Sequence, residues 1–454
     1  MSLVDKIWKN RDAIAVSMVF CSGPLNYAIR DGIGVAPNSS IFSLLFMFGG
    51  IFLFMPFRDL NKLYRNDTPL TFLALVYLFM TIAYMFIYTA EYYLPMAIKI
   101  YDAVVIFIVL YFLFYLSTVP ESALRFNFLR YSILIGFLGC TFLLVYAAMN
   151  PNFVVGQRLA ISFQGESEMD SMGNPHIYGR GAFFGIISSL IYIKYETKKL
   201  YLWLTYFALV IFIAVLILSQ AMSSILSGFG AIALFLWHNN TVYTVARGIR
   251  KLFTKWYVWV IAILIFAKGI DFIHKNQAII ELGYGVIERR LEKLANTLLP
   301  TDNSDDLFGE EVVTDQSAEG RVETLGIVKE ALIENFENGY YHKMFFGHGY
   351  YALYVDVPMV EVYHSYGLFG LLLFLIFFIS MIKYCWMEMR RPTSIISQFV
   401  AYGFVYFFIF TFTNGLIIDY NRWTFFIMVC RFMPTAQKHL IKLKEKKLEL
   451  QQTK

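Results

Sequence analysis

A helix crosses the hydrocarbon layer of a membrane with about 20 apolar residues. This chain offers such runs one after another, near 13–30, 39–57, 69–90, 98–118, 131–150, 180–193, 200–218, 224–238, 256–273, 364–383, 394–414 and 417–434. A soluble helix carries one apolar stripe, whereas these runs are apolar on every side. The sequence therefore predicts an all-α, polytopic integral membrane protein of about twelve transmembrane helices. The least regular runs are the first, which Gly23-Pro24 interrupts, and the last, which carries Asp419 and Arg422. With 58% hydrophobic and only 16% charged residues, the composition excludes a soluble enzyme, a nucleic-acid-binding domain and a disordered tail.

Charge gives the topology. The connections expected on one face hold Lys6, Lys9 and Arg11; Arg58, Lys62 and Arg65; Arg125 and Arg130; Lys194, Lys198 and Lys199; Arg247, Arg250, Lys251 and Lys255; and Lys383, Arg390 and Arg391. A Lys-rich tail from Arg431 joins them, and basic short loops mark the cytoplasmic side. An even number of spans then puts both termini in the cytoplasm. The N-terminal stretch lacks a small-x-small cleavage site and reads as an uncleaved first span. Cys21, Cys140, Cys385 and Cys430 all lie in or beside apolar runs and imply no disulfide framework.

Residues 1–273 thus hold spans one to nine, with a short outer loop near 151–178. Residues 274–363 form a large extra-cytoplasmic segment, residues 364–434 hold spans ten to twelve, and residues 435–454 are a basic cytoplasmic tail. The 274–363 segment carries 16 Asp and Glu against 7 Lys and Arg, although the whole chain is formally +5. Val286, Ile287, Leu291, Leu294 and Leu298 recur at helical spacing there, as do Val322, Leu325, Ala331, Leu332 and Phe336. The spacing predicts two amphipathic helices that lie on the membrane or cap the bundle. Between them, the acidic run Thr301–Glu311 lacks the ligand spacing of an EF-hand and reads as a solvated loop.

No Walker loop, dinucleotide fingerprint, nucleophile elbow, zincin motif or CxxC pair is present, so any chemistry must come from scattered side chains. Glu361 and His364 stand three apart at the mouth of span ten, one helical turn on one face, where a carboxylate or imidazole can act as a base. His364 reads equally as an interfacial belt ring. His348 lies between two glycines as a turn residue or a ligand, and His176 follows Asn174-Pro175, which start a helix well. Arg289 and Arg290 suit either a phosphate or a solvated helix face with Arg289 paired to Glu292.

Several segments occur in a telling order: Arg321 before an amphipathic stretch, Gly347-His-Gly349, and Gly367-x-x-Gly370 opening span ten. Upstream stand GNPHIYGRGAFFG at Gly173–Gly185 and LSQAMSS at Leu218–Ser224. From about 173 to 420 the chain resembles the O-antigen polymerase and O-antigen ligase superfamily of bacterial polytopic glycosyltransferases. It departs from that pattern at Met222, where the family hairpin commonly has Arg, and at Asp356-Val357, where ligases commonly have His-Asn. Both departures favour a polymerase over a ligase.

The resemblance implies a metal-independent, inverting glycosyltransferase without a cofactor, acting at the outer face of the bacterial cytoplasmic membrane. Its donor would be an undecaprenyl-pyrophosphate-linked oligosaccharide, its surroundings membrane lipid, and its partners a chain-length regulator and a flippase, with no nucleic acid involved. Arg321 is the leading candidate for the leaving pyrophosphate, with Arg289, Arg290, Arg158, Arg180 and His348 as further binding groups and Arg422 as a weaker cation. Glu361, His364 or Asp356 would take the proton from the acceptor hydroxyl. The alternatives are a ligase that delivers the polymer to lipid A core and a lipid-linked oligosaccharide flippase. A flippase should show short outer loops and internal repeats, and neither is evident here.

Overall fold

The computed structural model describes residues 3–37, 39–64, 68–88, 95–149, 175–239, 254, 256, 259, 316–353, 355, 357–435, 437–441 and 444. Among the described residues the regular elements are helical and there are no strands. In chain order the α-helices are α1 Leu3–Lys9, α2 Arg11–Cys21, α3 Gly23–Tyr27, α4 Ser40–Phe54, α5 Leu70–Ile87, α6 Met96–Thr118, α7 Glu121–Met149, α8 Pro175–Tyr195, α9 Lys199–Leu218 and α10 Met222–Asn239. They continue as α11 Gln316–Glu337, α12 Tyr341–Phe346, α13 Pro358–Arg390, α14 Ile395–Thr413 and α15 Tyr420–Phe432. A π-turn, Ala28–Gly32, prolongs α3, and a 3-10 turn, Met55–Phe57, prolongs α4. The ninth expected span, 256–273, apart from Trp256 and Trp259, the outer loop before Pro175, the acidic run Thr301–Glu311 and nearly all of the basic tail lie outside the described residues.

Among the described residues six helices, α5, α6, α7, α9, α13 and α14, are long and apolar enough to cross a membrane. A seventh span arises if α2 and the α3 segment, bent by 73° at Ser22, count as one. The remaining described windows fall on α4, α8, α10 and α15, which are shorter or less apolar. The reason is visible in α8, whose Gly179, Gly181, Gly185, Ser188 and Ser189 are all buried. A helix surrounded by protein rather than lipid needs close packing more than apolarity. The converse holds for α5, α6 and α9, which leave Phe72, Phe107 and Trp203 more than 60% exposed. Such apolar surface belongs in a bilayer.

Two compact units are present: Met1–Pro151 with Arg158–Phe235 and Gly339–Lys454, and Leu236–Asn338 with Asn152–Gln157. In the smaller unit, α11 is the long described helix. It is described from Gln316 to Glu337, and Gly320 does not interrupt it. Its buried positions are Val328 and Asn335, two turns apart, whereas Leu325 and Phe336 of the expected apolar face are exposed and Ala331 and Leu332 only half-buried.

In the larger unit the helices run alternately up and down, and their end contacts show it. At one end Tyr115 of α6 donates to Asp12 of α2 at 3.0 Å, and Arg58 after α4 donates to Tyr115 at 3.2 Å while pairing with Asp12. There too Asn127 of α7 donates to Asn10 at 2.6 Å, Arg431 of α15 reaches the carbonyls of Leu116 and Val119, and Tyr195 of α8 meets Gln398 of α14. The described basic groups Lys6, Lys9, Lys194, Lys198, Lys383 and Arg390 sit on helix ends that meet here. The grouping of basic connections at one end is thus a feature of the fold.

Packing around the first bend is tight. Pro24 starts α3 and lies between glycines of α7 and α8: a Cβ at Gly139 would stand 2.7 Å from Pro24 Cβ, and one at Gly181 would overlap the Pro24 ring. Deeper in the bundle Trp423 of α15 stacks between Tyr77 of α5 at 5.5 Å and Phe377 of α13 at 5.9 Å.

At the basic end Glu196, in the α8–α9 connection, accepts from Tyr192 Oη at 2.5 Å, from the Lys198 backbone N–H at 3.0 Å and from Arg130 at 3.2 Å. These bonds hold its carboxyl at about 2, below the ordinary 4.5. A depressed folded-state value gives stabilisation that is complete above about 4.5 and lost as pH falls towards about 2. Glu196→Gln should therefore flatten the acid limb of a stability-versus-pH curve measured by thermal unfolding in detergent. Gly181→Ala should lower the unfolding midpoint through overpacking worth about 1–3 kcal/mol. Gly49→Ala, where no atom lies within 4 Å, should not.

Candidate functional site

The opposite end of the larger unit carries broken helices and buried charge. Gly367 has φ +65° and breaks α13 three residues after His364 and six after Glu361. The sequence glycines explain the break. A Cβ on Gly347 would lie 2.6 Å from Gly367 N, and one on Gly367 would lie 2.5 Å from the Phe345 carbonyl carbon. Gly347, Gly349 and Gly367 all have positive φ, which side chains disfavour. The strand-like segment after α12 therefore docks directly on the broken backbone: His348 N–H donates to His364 C=O at 2.9 Å and Gly349 N–H to Ser365 C=O at 3.1 Å. Tyr88 Oη closes the arrangement on Gly347 C=O at 2.9 Å.

Glu361 and His364 share the first turns of α13 but meet different neighbours. The His364 ring stacks on His348 at 4.5 Å, with the planes 13° apart. Glu361, 5% exposed, accepts from the Ile417 backbone N–H at 3.1 Å. It shares a small cavity with Asp102 of α6, Tyr350 and Tyr366. Tyr350 donates to Asp102 at 2.5 Å. Burial, with Tyr366 and the Asp102 carboxyl beside it, pushes the Tyr350 hydroxyl far above its ordinary range, so it remains a donor.

The Ile417 loop joins this acidic subsite to a second, cationic one. Arg422, at the start of α15 and 2% exposed, donates to the Asn414 carbonyl at 2.9 Å, to the Phe410 carbonyl at 3.5 Å and to the Leu416 carbonyl. Trp423 Nε1 donates to the Ile417 carbonyl at 2.9 Å. On the far side of the loop lies a cavity of about 330 Å³ lined by Arg180, Arg422, His176, Asn414, Asp419 and Tyr420, among others. A smaller one of about 110 Å³, with Arg30, Asn26, Ser43 and Tyr101, shares Tyr27, Ile177, Arg180 and Tyr420 with it. Arg30 is fixed by a bidentate pair to Asp31 at 2.7 and 2.9 Å and by a bond to Ser43. Among the described residues Arg180 makes no hydrogen bond or ion pair.

The electrostatics of the larger cavity favour an anion. Arg180 and Arg422 bring two permanent charges, and α8 and α15 both present their first turns to it, where unsatisfied backbone N–H groups carry partial positive charge. Asp419 is the carboxylate in the lining, and it caps α15 by accepting from Asn421 N–H at 3.3 Å. His176 Nε2 lies 3.3 Å from Asn414 Nδ2. Planar guanidinium forks, amides and hydroxyls are the donor set that binds phosphate oxygens.

Of the residues singled out by sequence, Arg180 lies in this cavity, with Arg422 and His176 beside it. Glu361, His364 and His348 lie across the Ile417 loop and do not line it. Arg321 is on α11, in the smaller unit. Arg158, Arg289, Arg290 and Asp356 fall outside the described residues. Sequence reasoning missed Arg30, Asp31 and Asp102. The available signal was a charged residue within or beside an apolar run, a functional flag in its own right. Among the described residues no cluster of three or more His, Cys, Asp or Glu is arranged to hold a metal ion.

No family model matches the chain, and no curated protein matches it. The geometry implies that Gly347→Ala and Gly367→Ala, each costing about 1–3 kcal/mol in backbone strain before any overlap, should disrupt this end while sparing the rest. Proteolysis near 347–367 should accelerate in both variants, with helix content measured by circular dichroism almost unchanged.

Proposed function

We propose that the chain is a surface-polysaccharide polymerase of the bacterial cytoplasmic membrane, with twelve spans, both termini cytoplasmic and residues 274–363 at the outer face. In this reading it transfers an undecaprenyl-pyrophosphate-linked glycan to a sugar hydroxyl. The observation that carries the proposal is the cavity with Arg180 and Arg422, at the end opposite the basic connections. Positive loops mark the cytoplasm, so the cavity faces outward, where such a donor is presented.

The chemistry follows from the lining. The acceptor oxygen attacks the anomeric carbon, the bond from that carbon to the pyrophosphate oxygen breaks, and undecaprenyl pyrophosphate leaves. Arg180 and Arg422 stabilise the charge that grows on the leaving group, as preorganised donors do in a site poor in water. Arg321 keeps the role that the family resemblance gives it. The hydroxyl proton passes to a base in the cavity wall, for which His176 is the titratable ring and Asp419 the carboxylate. Glu361 then acts as a positioning residue: by holding Ile417 N–H it fixes the loop that carries Asn414 to one side and Asp419 to the other. The rings of Tyr27, Tyr101 and Tyr420 and the Asn26 amide around Arg30 suit a sugar face.

The test is a glycan gel on a host lacking the gene, complemented with wild type, Arg180→Ala or Arg321→Ala, with carrier-linked glycan extracted in parallel. Polymerase activity predicts single repeat units without a ladder in the deletion, restored by wild type. Loss of one cation should cost roughly 100-fold or more in rate, leaving Arg180→Ala with unit-length product at normal protein level. Full-length polymer stranded on the carrier would indicate a ligase instead. An untouched ladder would point to a transporter, and full activity of Arg180→Ala would remove the cavity from the mechanism.

A further inference from the structure

On the flank of the bundle, α7 and α9 leave a groove of about 370 Å³ between them. Its walls are Ile133, Leu134 and Phe137 from α7 and Leu204, Phe207 and Ala208 from α9. Both helices are apolar enough to span a membrane, so the groove faces hydrocarbon. It extends from Tyr201 to Ala208, about 10 Å of helix rise. That is within one leaflet of a core about 30 Å thick.

The end of the groove is charged. Arg130 closes it, 45% exposed at its side chain, with its guanidinium 5.3 Å from the Tyr201 ring centre and its Nε bonded to Tyr192 Oη at 2.9 Å. Lys198 and Lys199 begin α9 beside it, both exposed, and Lys198 Nζ lies 5.8 Å from the same Tyr201 ring. Glu196, the acidic neighbour, uses its oxygens on Tyr192, Arg130 and the Lys198 and Thr197 N–H groups. The surplus charge is positive, at the depth where headgroups lie and at the end of the bundle that gathers the basic connections.

We propose that this groove binds one acyl chain of an anionic phospholipid from the leaflet at the basic end, with the headgroup phosphate against Arg130, Lys198 and Lys199. The apolar walls take the chain, and the aromatic-flanked Arg130 holds the phosphate at the boundary, where basic groups recognise anionic headgroups. The site lies at the end opposite the Arg180 cavity and does not depend on the function proposed for it.

The test uses the full chain in mild detergent, stripped of lipid, then mixed with equal amounts of phosphatidylglycerol and phosphatidylcholine of identical acyl chains. Native mass spectrometry counts what stays bound. Wild type should retain the anionic lipid preferentially, and each basic side chain removed should cut that preference about fivefold. Arg130→Gln should show the cut. So should Lys198→Gln with Lys199→Gln, which touch no core contact and keep the test valid if Arg130→Gln folds poorly. Ile133→Trp, which fills the groove and leaves the charges, should lower retention of both lipids. Equal retention by wild type, or a preference unchanged in both charge variants, would overturn the proposal. So would displacement of phosphatidylglycerol from wild type, but not from Ile133→Trp, by equimolar undecaprenyl phosphate, because the groove would then belong to the carrier.

Discussion

Lipid offers no hydrogen bonds, so every break in a membrane helix must be satisfied by protein. The end of the bundle opposite the basic connections is built around that constraint. Among the described residues it contains three interruptions: the bend and π-turn at residues 22–32, the Gly367 break in α13, and the loop between α14 and α15. The second is satisfied by backbone from the His348 segment. The third is satisfied by side chains, with Glu361 accepting from Ile417 N–H while Arg422 and Trp423 donate to carbonyls of Phe410, Asn414, Leu416 and Ile417. Charged residues are thus admitted to the interior because broken backbone needs them, and the broken backbone is what lets a polar cavity exist there.

The same constraint divides the helices by role. Those facing lipid can be almost uniformly apolar, as α5 and α9 are. Those inside, α8 and α15, exchange apolarity for glycine, serine and arginine. Close approach of Pro24 to Gly139 and Gly181 brings the bent first segment against α7 and α8, and this sets Arg30 and Arg180 on a shared cavity wall. Packing at the bend and charge at the site are therefore parts of one arrangement.

Much of this was legible in the sequence and some was not. Apolar runs marked the long described helices of the larger unit, since length and apolarity respond directly to the bilayer. The glycines at 347, 349 and 367 stood out as a pattern, but their reason, backbone docking on backbone, lies in contacts between segments twenty residues apart. Arg180 is among the sequence candidates, whereas Arg30, at the end of the first apolar run, is not. The pairing of Arg180 with Arg422 across more than two hundred residues has no local signature at all. Glu361 and His364 lie in the first turns of α13. Spacing along a helix says which residues share a face, not that one neighbour is a backbone N–H and the other an imidazole.

Trp423 adds an optical consequence. The chain has seven tryptophans, and Trp8, Trp203, Trp237, Trp256, Trp259 and Trp386 are each at least 45% exposed, while Trp423 is fully enclosed. A quencher carried by lipid or dissolved in water reaches the six and not the seventh. The emission that survives quenching then belongs to a single indole whose N–H is bonded to the Ile417 carbonyl. The protein thereby carries its own fluorophore against the loop between its acidic and cationic subsites, so a shift of that loop is readable as colour without any label.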